Sequence, residues 1–259
     1  MTTKVVLITG ASSGIGYAAA LAFAQGGWNV VATARRTNRL AELEQAVSDL
    51  PTPHGSILTL AADVQSAMDM QQAVRQGMAY FGRLDALVAN AGLGQRGALA
   101  EAAWNDLDIV LRTNIDGVLH SIRAAVPAIR QSNGGQIVLI SSVAGQVAMP
   151  YAATYGATKA FVSSLARSLR LELENDHIGV TDMLVGRTAT EFNEKRRGEG
   201  KRTGGGLPTM TAEQVGMAIL RAVERRQKTV VLRPFDRLIL WGNILVPGLI
   251  ARLAKRQYK

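Results

Sequence analysis

The chain has 259 residues, 47% hydrophobic and 19% charged, which supplies apolar material for a buried core and argues against disorder. It contains no cysteine, so disulfides and thiolate metal sites are excluded, and its three histidines, His54, His120 and His177, are scattered without metal-ligand spacing. The formal charge of +9 is concentrated at one end: residues 225–259 hold nine of the 29 basic residues and one of the 20 acidic ones, and no basic-aromatic motif of a nucleic-acid binder is visible.

The opening apolar run is too short for a signal peptide and reads as a first buried strand, 4–9. Six further β-branched runs follow, at 29–33, 57–61, 84–89, 136–141, 179–184 and 229–232. Between them, 14–25, 38–48, 66–81, 101–131, 153–176 and 211–227 carry helical periodicity, the fourth expected to break into two helices. This alternation predicts an α/β fold, a Rossmann-type doubly wound parallel sheet of about seven strands with helices on both faces. The length suits one such domain, 1–233, followed by a tail, 234–259. The irregular stretch 186–210 reads either as a lid or as a surface insertion.

After the first strand, Thr9-Gly10-Ala11-Ser12-Ser13-Gly14-Ile15-Gly16 opens directly into a helix. Such a glycine-rich turn brings backbone N–H groups and the positive end of a helix dipole to a pyrophosphate. The second strand ends in Arg35 and Arg36, where a unit reading the ribose 2′-hydroxyl would carry an acid. Two guanidinium groups suit a 2′-phosphate instead, so NADP(H) is expected rather than NAD.

Tyr155 and Lys159 are four apart on a helix and share a face. A free tyrosine has a pKa of about 10, and a fixed ammonium nearby favours its phenolate, lowering that value by roughly 1–3 units. The pair suits proton exchange with a carbonyl or alcohol oxygen, and no metal is required.

With these motifs the chain resembles the short-chain dehydrogenase/reductase family, in its compact single-domain branch, over nearly its whole length to about Leu232. The resemblance implies a catalytic set of Asn114, Ser142, Tyr155 and Lys159, with Ser141 a rival to Ser142 that the spacing to Tyr155 disfavours. It places Asp63 and Val64 beside adenine and Asn90-Ala91-Gly92 along the cofactor. Gly186, Thr188 and Thr190 fall near the nicotinamide, Lys159 on its ribose, and a water on Asn114. Met149, Tyr151, Met183, Leu184, Val185 and Phe192 fall where the family builds its substrate pocket. Two departures stand out: Ala89 where the family has asparagine, and Val185 where it has proline.

The resemblance also implies an oxidoreductase interconverting a carbonyl and an alcohol, apolar or bulky, in a cytoplasmic homodimer or homotetramer. A cofactor-binding sensor without turnover is the competing reading. No apolar run is long enough to span a bilayer, since 238–250 contains Gly242, Asn243 and Pro247. The tail, 235–256, mixes apolar residues and Trp241 with Arg237, Arg252, Lys255 and Arg256. It reads as a peripheral membrane contact, a cover for the substrate pocket or a subunit interface.

Overall fold

A computed structural model describes residues 3–198 and 209–256. Seven strands form one parallel sheet: β1 (Val5–Thr9), β2 (Asn29–Ala34), β3 (Ile57–Ala61), β4 (Ala86–Ala89), β5 (Gly135–Ser142), β6 (Ile178–Val185) and β9 (Thr229–Val231). Their spatial order is β3-β2-β1-β4-β5-β6-β9, with every pair parallel. The seven strands fall on the seven predicted runs, with ends shifted by one or two residues.

Period-two alternation divides the strands between two cores. In β1, Val6 and Ile8 pack toward one side and Val5 and Leu7 toward the other. The first side is covered by α1 (Gly14–Gln25), α2 (Thr37–Ser48) and α7 (Ala212–Glu224), through Phe23, Leu43 and Ile219 among others. The second is covered by α3 (Ala67–Phe81), α5 (Gly117–Gln131) and α6 (Ala153–Glu172), through Met70, Ile129 and Val162. Because both faces are buried, the central strands are continuously apolar. The chain moves outward from β1 to β2 and β3, then crosses back to β4. The strand order therefore reverses at the C-terminal ends of β1 and β4, where open α/β sheets hold ligands.

Two expectations are corrected. The stretch 101–131 does not break: α4 (Trp104–Leu111) runs through a π-helical turn, Arg112–Asp116, directly into α5. A π turn adds a residue without ending the helix, so the slip in periodicity resembles a break. The stretch 186–210 is also less irregular at its ends. There β7 (Thr188–Ala189) pairs with β8 (Met210–Thr211), and Gln95 bridges to Arg197. The centre of the expected lid, 199–208, lies outside the described residues. The tail forms two helices, α8 (Pro234–Leu245) and α9 (Pro247–Arg256).

Candidate active site

The glycine turn is built by contacts between β1 and β4. Asn90 Nδ2 donates to the carbonyls of Thr9 at 2.9 Å and Gly10 at 3.3 Å, while the N–H groups of Asn90 and Ala91 donate to Thr9 Oγ1. A Cβ on Gly16 would lie 2.4 Å from the carbonyl oxygen of Gly10, so only glycine lets α1 start this close to the turn. Asn90 thus braces the turn in a chain where the neighbouring family asparagine is Ala89, a core residue.

Arg36 folds back over the turn, its Nε 3.2 Å from Ser12 Oγ and its Nη2 2.6 Å from Ser13 Oγ. Arg35 faces Asp63 at 3.6 Å. Asp63 Oδ1 accepts from the N–H of Gln65, and its own N–H donates to Asp69, fixing the loop after β3.

At the other end, β5 and β6 finish side by side. Ser142 Oγ donates to the Val185 carbonyl at 3.0 Å and accepts from the N–H of Ala144. Val185, the last residue of β6, pairs with Ser142, so the ladder holds the entry to 186–198 without proline. Ser141 borders the same space, but its hydroxyl is committed to Asp182 and it is almost fully buried. A Cβ on Gly145 would lie 2.5 Å from the Lys159 carbonyl carbon, so this glycine lets the loop after β5 press onto α6. That approach brings Tyr155 and Lys159 to the strand ends. Lys159 Nζ lies 5.9 Å from the Tyr155 ring centroid and donates to the Ile140 carbonyl at 2.8 Å.

These features line one cavity of about 1070 Å³ running from Arg35 past the glycine turn to Ser142, Tyr155 and Lys159. The glycine-rich turn, a basic pair after β2 and a Ser/Tyr/Lys cluster share that single space. Residues 4–200 match the family model described as short chain dehydrogenase. The chain belongs to the short-chain dehydrogenase family. It is 38% identical over 202 residues to sulfoacetaldehyde reductase 2 of Chromohalobacter salexigens, covering 76% of this chain and 77% of the relative. It is 35% identical over 263 residues to 11-beta-hydroxysteroid dehydrogenase 1A of Arabidopsis thaliana, covering 95% and 73%. A short-chain dehydrogenase/reductase from Burkholderia phymatum, solved in complex with NAD, superposes with a TM-score of 0.82 at 26% identity, over 94% of this chain and 95% of that one. An alcohol dehydrogenase from Thermococcus sibiricus, solved with 5-hydroxy-NADP, gives 0.78 at 25%, over 89% and 96%.

In this short-chain dehydrogenase, burial of the Lys159 ammonium lowers its pKa from 10.5 to about 8, against a smaller opposing pull from Asp182. Asp182 is a buried acid on β6 that sequence patterning does not single out, because inside an apolar strand it resembles an irregularity. Glu191 is a second such residue. It lies between Thr190 and Phe192, ion-pairs with Arg36, Arg39 and Lys195, and is held below the usual carboxylate range chiefly by the Lys195 hydrogen bond, with Arg36 adding to it.

Of the expected site residues, Gly10, Ser12, Ser13, Gly14, Ile15, Arg35, Arg36, Asp63, Val64, Asn90, Ala91, Gly92, Gly186, Thr188 and Thr190 all line the cavity, as do Met149, Val185 and Phe192. Gly16 lies behind the turn. Tyr151 does not line the cavity: it is exposed, with φ of 58°, in the turn before α6, where its carbonyl accepts from the N–H of Gly97. Met183 is fully buried in the core, and neither it nor Leu184 reaches the cavity, because β6 points them into the sheet packing. Asn114 is fully buried in the π turn. Its Oδ1 accepts from the N–H of Leu93, and its Nδ2 donates to the Leu93 carbonyl and to Thr158 Oγ1. The tail adds a wall that strand-and-loop motifs do not reveal, since Phe235, Ile239, Ile250 and Leu253 line the same cavity.

Proposed function

We propose that this chain is an NADPH-dependent oxidoreductase that interconverts a carbonyl and an alcohol on an apolar or bulky substrate. The observation that carries the reading is the shared cavity, in which Tyr155, Lys159 and Ser142 sit at the far end from the glycine turn and Arg36. The close Gly10–Gly16 packing and the Arg36 guanidinium over Ser12 and Ser13 fit a dinucleotide with a 2′-phosphate. When bound, its nicotinamide supplies or accepts the hydride.

The chain's own groups handle the proton and the charge. In reduction the Tyr155 hydroxyl donates its proton to the substrate oxygen, and the Lys159 ammonium favours the phenolate left behind. Ser142 Oγ, which donates to the Val185 carbonyl, turns to donate to the same substrate oxygen as negative charge builds on it. The Asn114 side chain is consumed by Leu93 and Thr158, so any water it holds in the proton path sits on its main chain. Its amide positions the loop after β4 against α6.

For the substrate, Met149, Val147, Phe235, Ile239, Ile250 and Leu253 give the cavity an apolar wall. That wall resembles what a hydroxysteroid, the substrate in one relative's name, would need, more than what sulfoacetaldehyde would need. The test is a panel of aliphatic, aromatic and polycyclic carbonyl compounds, followed by loss of NADPH absorbance for wild type and Tyr155→Phe. Turnover on the bulky members, lost in Tyr155→Phe, is expected. Equal turnover in that variant would overturn the mechanism, and tight NADPH binding with no turnover across the panel would favour a sensor.

A further inference from the structure

Helix α8 is anchored by a mixed stripe on one face and carries an apolar stripe on the other. Its inward stripe is Asp236, Ile239 and Asn243. Asp236 is buried in an ion pair with Arg233, Ile239 lines the cavity, and Asn243 Nδ2 donates to the Gln146 carbonyl at 2.9 Å. Its outward stripe, Leu238, Trp241, Ile244 and Leu245, is 69%, 68%, 78% and 73% exposed. Val246, Leu249 and Leu253 extend this surface onto α9. The apolar stripe of a surface helix ordinarily faces a core, and this one faces outward.

The exposure is concentrated. Of 15 exposed large apolar side chains among the described residues, eight lie in 235–253, which separates this surface from the scattered single residues normal on any protein. Phe235 and Leu253 are each partly exposed and also line the cavity, so the patch forms its rim.

Along 234–255 the exposed charge has one sign. Arg237, Arg252 and Lys255 are exposed, whereas the one carboxylate of 234–256, Asp236, is buried beneath the helix with Arg233. A second copy docking through the same face would oppose cation to cation. An anionic lipid surface meets both features, the apolar stripe and the cationic flank.

We propose that the α8–α9 hairpin docks this protein on an anionic membrane surface, with the outward stripe at the headgroup–acyl boundary and the cavity rim beside it. Docking stands on the surface alone. Its use, passage of a lipophilic carbonyl compound from the bilayer past Phe235 and Leu253, rests on the proposed substrate reading.

The test is flotation of the full chain with phosphatidylcholine vesicles, with and without phosphatidylglycerol, at low and high salt. Binding is expected on the phosphatidylglycerol vesicles at low salt, with a blue shift of Trp241 emission in a Trp104→Phe background. Ile244→Glu and Leu245→Glu should each weaken binding more than about ten-fold with unchanged melting temperature, since both positions are exposed. Replacing Arg237, Arg252 and Lys255 by Gln should weaken it about five-fold per charge and flatten the salt dependence. Absence of binding at low salt, or binding indifferent to Leu245→Glu, would overturn the proposal. So would a protein that shows no vesicle binding and whose self-association is lost in Leu245→Glu, because the face would then be an interface between copies. None of these readouts requires turnover, so a failed carbonyl panel leaves the docking result standing.

Discussion

The Glu191 carboxylate lies 3.2 Å from Nη1 of Arg36, the guanidinium that also covers Ser12 and Ser13. Glu191 is carried by the segment after β7, beside Thr190 and Phe192, and Phe192 packs against Tyr155 with ring centroids 5.7 Å apart. An internal anion therefore occupies the cation proposed to bind a 2′-phosphate, and its segment links Arg36 to Tyr155.

A phosphate arriving at Arg36 must displace or tolerate that carboxylate. Glu191→Gln should lower the NADPH dissociation constant about 3- to 10-fold at low salt and leave that for NADH unchanged, a modest effect because both groups are about one-third exposed. The gain should shrink at high salt. Titration of cofactor fluorescence checks it, and weaker NADPH binding in the variant would refute the competition.

Arg36→Ala acts in the opposite direction. Loss of charge-assisted bonds to a phosphate should raise the NADPH dissociation constant about 10- to 100-fold with little change for NADH. Arg35→Ala should cost less, because Arg35 is more exposed and faces Asp63. Equal losses for both cofactors would count against a 2′-phosphate site.

The adjacent serines should separate cleanly. Ser142→Ala should reduce kcat/KM on the order of 100-fold with the melting temperature nearly unchanged. Ser141→Ala leaves the buried Asp182 without its hydroxyl donor and should cost about 1–3 kcal/mol of stability while turnover persists. Comparison of steady-state rates with thermal melts decides between them, and the reverse pattern would exchange their roles.

Lys159 gives a pH signature in the cofactor-free protein. Its folded pKa of about 8 lies below the ordinary 10.5, so between those values the unfolded chain binds more protons than the folded one. Stability from this group therefore rises as pH increases from about 8 toward 10.5, and below pH 8 the full cost of burying the ammonium is present. Melting temperature should show that rise in wild type and lose it in Lys159→Met. Parallel curves for the two proteins would refute the buried titration.

Much of the fold is legible along the chain because it depends on local period. Alternating β-branched runs and helical stripes place the seven strands, and the glycine turn and the Tyr155/Lys159 interval are short-range patterns whose geometry follows from the elements that carry them. The π turn at Arg112–Asp116 escapes this reading because one extra residue in a turn mimics a helix end. Family resemblance places Tyr151 in the substrate pocket, yet the residue sits at positive φ in the turn before α6 and is exposed.

Which distant groups meet follows from the packing of the sheet and its crossovers. The Glu191–Arg36 pair joins residues 155 apart, Ser141 reaches Asp182 across 41, and Asn243 holds the tail to Gln146 across 97. Charge and polarity at those positions have no periodic signature, because each partner is supplied by a different crossover of the sheet. Local pattern suffices for the parallel sheet, the glycine-rich turn and the order of the Ser142, Tyr155 and Lys159 groups. Tertiary packing set both serines along the cavity but tied the Ser141 hydroxyl to the buried Asp182, engaged the Asn114 side chain with Leu93 and Thr158, and brought Ile239 of α8 to the cavity while Leu238, Trp241, Ile244 and Leu245 stay exposed, since each depends on what lies across space from the side chain.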